Sequence, residues 1–223
     1  MDIMLHFGTL LSLLAFLYKD IIQILRSLFR FCLRPKRFIS DPNIHLFFAL
    51  ILATLPIALI GYFMSDFFES LFGSLRAVGI SLCMTGCFLY LTKSAKKRKM
   101  NLVIHPVLIG ILQAVAVVPG LSRSGLTIGG ALLLGWKESF AARFSFLLSI
   151  PAIAGASLFQ ISKINMQAQE WPLILTGICM AALCGYLALK YLTVLIKKGK
   201  FFYFSFYCLI AGVLTLVLSF ILQ

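Results

Sequence analysis

The chain has 223 residues, of which 61% are hydrophobic and 12% charged, and its mean hydropathy is +1.01. Such a composition excludes a soluble globular domain and predicts an all-α polytopic membrane protein, one integral membrane domain over 1–223. A net charge of +13 would suggest nucleic acid in a soluble chain, but here Lys and Arg gather in short clusters between apolar runs, so topology explains the charge and no nucleic-acid partner is expected.

Residues 3–18 form an apolar run slightly short for a span, with no basic leader and no small-residue cleavage site, so a cleavable signal peptide is not expected. Across 19–37, Lys19, Arg26, Arg30, Arg34, Lys36 and Arg37 alternate with Ile, Leu and Phe at near-helical spacing. That pattern is that of an interfacial helix on an anionic leaflet, and this loop is expected to face the cytoplasm. Residues 44–63 make a full span carrying Pro56, and 64–77 an external loop with Asp66, Glu69 and a single basic residue, Arg76. The return span is 78–92, after which Lys93, Lys96, Lys97, Arg98 and Lys99 mark the cytoplasm.

Residues 103–118 are apolar, whereas the run 126–134 has only about nine residues, too few to cross a bilayer as a helix. If 103–118 crossed alone, the later cluster Lys190, Lys197, Lys198 and Lys200 would lie outside. A pair that enters and leaves by the cytoplasmic face keeps that cluster, Lys137 and Arg143 inside. A re-entrant helix-loop-helix over 103–135 is therefore predicted, its non-helical backbone in a polar chamber. Spans follow at 144–159, with Pro151 inside, at 173–189 and at 202–222, separated by a short external loop at 161–171. The total is about six transmembrane helices plus the re-entrant pair. Segment 93–223 reads as a re-entrant pair and three spans, and 1–92 as three spans. An odd number of spans makes the two antiparallel, the layout of inverted repeats, with the first re-entrant pair missing from 1–92.

The hairpin loop carries the chemistry. Residues 119–130 read PGLSRSGLTIGG and put Arg123 at membrane depth, where a cation costs at least about 2.5 to 3.5 kcal/mol and demands an anionic partner. Ser122, Ser124 and Thr127 surround it with hydroxyls, while Gly120 and Gly125 let the backbone turn and approach a ligand. A guanidinium can hold two phosphate oxygens in a fork, and a helix beginning near Leu126 would aim free N–H groups at the same anion. Ser122 could serve as a nucleophile, but no base adjoins it, so a phosphate donor is the better reading. The bland alternative is a kinked helix with Arg123 against a backbone carbonyl.

Cys32, Cys83, Cys87, Cys179, Cys184 and Cys208 are dispersed and read as small packing residues; Cys83 and Cys87 share a helix face but lack two further thiols for zinc. His6, His45 and His105 stand near predicted span ends as interfacial or packing residues. None of the seven acidic residues falls inside a predicted span: Asp2 is terminal, Asp20, Asp41, Asp66, Glu69 and Glu170 belong to loops, and Glu138 to the cytoplasmic side. No metal-ligand set is visible.

Gln113 followed by PGLSRSG at 119–125, FSFLLSIPAIAGA at 144–156, LHFGTLLSLLAFLY at 5–18, ATLPIALIG at 53–61 and SDFFESLF at 65–72 occur in order over essentially the whole chain. In these the sequence resembles the undecaprenyl-diphosphate phosphatase family, also known as bacitracin-resistance proteins. The resemblance implies a membrane hydrolase that removes one phosphate from the lipid carrier of cell-wall synthesis, with two inverted repeats each giving a re-entrant loop to one active site. It implies Arg123, Ser122 and Ser124 as catalytic residues, and Gly120, Gly125, Thr127 and Gln113 as substrate-binding ones. It also implies a divalent cation (Mg or Ca), a polyprenyl diphosphate substrate and the bacterial inner membrane, and it is compatible with a homodimer.

Family members carry, ahead of the segment matching 5–18, a re-entrant segment with paired glutamates and a Ser-Ser-Thr-Gly-His run, and this sequence contains neither. The metal ligands are then not in this chain, which as written is expected to bind a diphosphate without metal-dependent turnover until such a hairpin is added. A start codon placed too late, or a truncated remnant, would give that pattern. A transporter or flippase for a phosphorylated lipid is the alternative from another class, because inverted repeats, broken helices and a buried arginine are equally its parts. Phosphate release from a lipid diphosphate separates the two.

Overall fold

The computed structural model describes residues 2–34, 40–63, 74–161 and 171–221, which contain helices and no strand. In chain order the α-helices are α1 Asp2–Leu33, α2 Pro42–Phe63, α3 Leu75–Leu91, α4 Ile104–Val115, α5 Arg123–Leu133, α6 Glu138–Ile161, α7 Trp171–Lys197 and α8 Phe204–Ile221. Short 3₁₀ turns follow α3 at Thr92–Ser94 and precede α8 at Phe201–Tyr203. The predicted external loops fall largely outside the described residues, as do Asp66, Glu69, Glu170, Lys36 and Arg37.

Local chemistry sets the helix ends. Asp41 accepts the Asn43 N–H at 2.8 Å ahead of Pro42, and Ser74 accepts the Ala77 N–H at 3.3 Å. Both are N-caps that satisfy a donor the helix itself leaves open. At the other end of α5, Gly135 takes φ +88°. Its N–H bonds the Leu132 carbonyl and the next, on Trp136, bonds that of Ala131, closing the last turn.

Among the described residues five helical stretches are long and apolar enough to cross a membrane, in α1, in α2, in α3 with the turn after it, in α7, and in α8 with the turn before it, so this is a multi-pass membrane protein. Where a sixth span was expected, α6 is 24 residues long and carries Pro151. By contrast α4 and α5 have 12 and 11 residues, reaching about 16 to 18 Å at 1.5 Å per residue, far short of a hydrocarbon core of about 30 Å. The two ends of this hairpin are tied together. The Arg98 N–H donates to the Gly135 carbonyl at 3.1 Å, the Trp136 indole donates to His105 Nδ1 at 2.7 Å, and Lys97 stands 3.5 Å from Glu138. The two ends of the helical pair therefore lie together, the arrangement a re-entrant element would need.

Two expectations are corrected. Residues 3–18 and 19–33 are one helix and not a span followed by an interfacial helix, because α1 runs unbroken over 32 residues. Leu13, Leu17, Ile24 and Ser27 continue a single buried stripe past Lys19, with no Gly or Pro to interrupt it. Asp20 is consequently a helical residue and not a loop one. The helix after the hairpin loop begins at Arg123, three residues earlier than the apolar run suggested, because Ser122 caps it.

Two compact units make up the chain: 1–48 with 146–194, and 49–145 with 195–223. In the first, α1 and α7 cross closely at Gly8, where a Cβ would lie 2.6 Å from the Ile178 carbonyl, and at Gly185, where one would lie 2.6 Å from Ser12 Oγ. Phe16 stacks edge-on against Phe146 and Tyr186. In the second, α3 and α8 touch through Gly79, Gly86 and Gly212, and a Cβ on Gly212 would sit 2.6 Å from Cys83 Sγ. Small residues that let backbones meet are how helices associate where lipid removes the hydrophobic drive. Of the cysteines, Cys208 is buried, while Cys32, Cys87, Cys179 and Cys184 are on outward faces.

Candidate active site

The connection between α4 and α5 lies along α3. Val78, Ser81 and Thr85 are one face of that helix, and the loop touches each in turn. Gly120 has φ +90°, and a Cβ there would meet the Val78 carbonyl oxygen at 2.5 Å and the Ser81 Cβ at 3.0 Å. Only glycine satisfies both the left-handed conformation and the close approach. One turn further along α3, Thr85 Oγ1 accepts the N–H of Ser122 at 3.3 Å.

Ser122 then caps α5. Its Oγ accepts the Gly125 N–H at 3.1 Å, and its carbonyl accepts the Leu126 N–H at 2.9 Å. A Cβ on Gly125 would fall 2.9 Å from that same Oγ, so a side chain there would have to shift the capping serine. Arg123 and Ser124 are the first two residues of the helix, where no preceding turn supplies carbonyls to their N–H groups. Both side chains are partly exposed, and Arg123 has no carboxylate partner among the described residues. A guanidinium at the positive end of a helix, with no counter-charge among the described residues, has the chemistry to bind an anion.

Of the residues singled out in the sequence, Gly120, Ser122, Arg123, Ser124 and Gly125 are gathered in this turn. Thr127 lies beneath it, buried, its Oγ1 bonded to the Arg123 carbonyl at 2.9 Å and to Ser145 Oγ at 2.6 Å. Its hydroxyl is committed within the protein. Gln113 is on α4, fully buried, and neither its amide nitrogen nor its amide oxygen has a partner among the described residues. Each such group costs about 1 to 3 kcal/mol, a disposition that suits a polar ligand better than a packing role. His105 pairs with Trp136 at the foot of the hairpin, a packing role. Thr85 and Ser145 were missed. Each is a single hydroxyl inside an apolar run, with no motif to mark it.

With this geometry in view, residues 1–214 match the family described as bacitracin resistance protein BacA. The chain belongs to that family. Proteins named undecaprenyl-diphosphatase are similar along nearly its whole length: 35% identical in Halothermothrix orenii, covering 98% of this chain and 83% of the relative; 37% in Carboxydothermus hydrogenoformans, covering 98% and 82%; and 38% in Bacteroides fragilis, covering 97% and 82%. These likenesses favour a diphosphatase over the lipid-transporter and remnant alternatives. A phosphatase is compatible with a divalent cation, but among the described residues no three His, Cys, Asp or Glu are grouped to hold one. The residues described do not by themselves fit a metal centre.

Proposed function

We propose that this chain hydrolyses undecaprenyl diphosphate to undecaprenyl phosphate and inorganic phosphate, recycling the lipid carrier of cell-wall synthesis and conferring bacitracin resistance. It does so in the bacterial plasma membrane, and a homodimer is compatible with that placement. The inverted-repeat division into 1–92 and 93–223, with the hairpin at 103–135, belongs to the same proposal. The observation that carries it is Arg123 at the capped N-terminus of α5, without a carboxylate partner among the described residues.

In the reaction, water oxygen bonds to the terminal phosphorus while the bond from that phosphorus to the bridging oxygen breaks, and the lipid monophosphate leaves with the bridging oxygen. Negative charge rests on the equatorial oxygens throughout, and catalysis is chiefly positioning and charge stabilisation. Arg123 holds two of those oxygens in a fork. The N–H groups of Arg123 and Ser124 point at the same anion, and the hydroxyls of Ser122 and Ser124 donate to it. Ser122 keeps its proton for this purpose because, as a cap, its oxygen only accepts. Gly120 and Gly125 bring the backbone close, Gln113 offers a desolvated amide, and Thr127 contributes through the Arg123 carbonyl.

The test is phosphate release from a C55 lipid diphosphate in detergent with magnesium or calcium present, by the chain as written and by the chain preceded by a family-type hairpin with paired glutamates, since the described residues group no metal ligands; the variants are read in whichever of the two turns over. Arg123→Ala should lower the rate by about two orders of magnitude or more, and Arg123→Lys nearly as much, since an ammonium keeps the charge and loses the planar grip. A lysine variant with most of its activity would show that Arg123 supplies charge alone.

A further inference from the structure

Thr85 behaves unlike the other threonines of the chain. The remaining seven return their hydroxyl to a carbonyl three or four residues earlier, Thr92 to the end of α3 and the other six within their own helix, at 2.6 to 3.1 Å. That is the default for a hydroxyl in an apolar helix, which has no other partner near it. Thr85 is as deeply buried as any of them, with none of its surface exposed. Its oxygen nevertheless turns away from α3 and accepts the N–H of Ser122, 37 residues along the chain. Ser122 is the cap from which α5 starts, and the Thr85 methyl lies 3.6 Å from where a Gly125 Cβ would be. The side chain therefore underlies the whole first turn of α5, the turn that presents Arg123.

We propose that Thr85 is a positioning residue of the anion site: by holding the Ser122 amide it fixes the first turn of α5 and the aim of Arg123. This inference rests on the anion-site reading above and adds to it a residue from a different helix. A hydroxyl that merely stabilised α3 would bond its own helix, as six of the other seven do.

The test uses the full chain in detergent, with inorganic pyrophosphate as the ligand and amide hydrogen exchange read over residues 122–126. Thr85→Val, which keeps shape and loses the acceptor, should weaken pyrophosphate binding about tenfold, the worth of roughly one hydrogen bond, and speed exchange at Ser122. Thr85→Ser, which retains the acceptor, should restore both to within about threefold of the parent. Thr215→Val, which removes a hydroxyl bonded only within α8, should change neither. Parental binding and exchange in Thr85→Val would overturn the proposal, as would a serine variant no better than valine. If Thr85→Val does not fold, Thr85→Ala carries the same comparison with serine. Arg123→Ala, measured in parallel, separates the two readings. If it binds pyrophosphate as the parent does, the anion site itself is wrong; if it loses binding while Thr85→Val does not, only the role of Thr85 is.

Discussion

Two helices of the second unit, α5 and α8, have opposite surfaces. Along its 18 residues α8 buries only Ser205, Cys208, Gly212 and Ser219, one narrow stripe of small side chains, and turns Phe206, Ile210, Val213 and Val217 outward. In α5, eight consecutive residues from Gly125 to Leu132 are buried, on every side of the helix. For α8 the outer face needs no cover, because lipid is as apolar as the side chains it meets, and the stripe sets how close α3 can come. A helix too short to span has no such option and must be enclosed by protein. Enclosure lets α5 carry a charged first turn, which a helix open to lipid, as α8 is, could not do.

Moving the loop should damage the enclosed helix most. Gly120→Ala faces a conformational cost of about 1 to 2 kcal/mol and a clash with the Val78 carbonyl, so the loop must lift from α3. A displacement of about 1 Å at a positioned group is worth on the order of a hundredfold in rate, and phosphate release should fall by that much. Helix content by circular dichroism should stay intact. Normal turnover in this variant would mean that the loop's seat on α3 does not position the site.

The stripe on α8 answers to stability instead. Gly212→Val places new atoms against Cys83 and should destabilise the fold by about 1 to 3 kcal/mol, as overpacking does. Val213→Ala, on the adjacent outward face, should stay within about 0.5 kcal/mol of the parent in thermal unfolding. Equal losses from the two would remove the distinction between the faces.

A smaller effect is expected one layer below the anion site. Thr127→Val and Ser145→Ala each break the hydroxyl chain that ends on the Arg123 carbonyl. Either change should weaken pyrophosphate binding by about three- to tenfold, the range of a net hydrogen bond. The double variant should be little worse than the single ones, because both act through the same bond. Additive losses would show that the two hydroxyls act separately.

The sequence disclosed the hairpin through arithmetic: about nine apolar residues at 126–134 cannot cross a bilayer, and keeping Lys190, Lys197, Lys198 and Lys200 on the same side as Lys93 to Lys99 requires an even number of crossings between the two clusters. It disclosed Arg123 because a lone cation among apolar runs is conspicuous. Hydropathy could not show where α5 begins, since Ser122 acts through a side-chain bond to Gly125 that no apolar average registers. Nor could it show that α1 continues past Lys19 and Asp20. There the expected break followed charge, whereas the helix follows the buried stripe of Leu13, Leu17 and Ile24. Thr85 and Ser145 were invisible for another reason. Their partners lie 37 and 18 residues away, and only the fold brings them together.

The foot of the hairpin offers the mildest perturbation, one that proton concentration alone can apply. Trp136 donates its indole N–H to His105 Nδ1 at 2.7 Å, which requires that nitrogen to be unprotonated and places the hydrogen of neutral imidazole on Nε2. Burial pushes the His105 imidazole below its ordinary 6.5. The unfolded chain therefore binds this proton more readily than the folded one, so the contribution of His105 to stability is present above pH 6.5 and is lost as pH falls through the lower, folded value. When the proton arrives, Nδ1 becomes a donor and the indole loses its acceptor. The chain has two tryptophans, so a Trp171→Phe background isolates Trp136 as the reporter. Its fluorescence should titrate with a midpoint below 6.5, and His105→Gln should abolish that titration while leaving pyrophosphate binding at Arg123 unchanged. A midpoint above 6.5 would mean that a charged imidazole is favoured there, and hence that the hairpin's two ends are held by something other than the Trp136 to His105 bond.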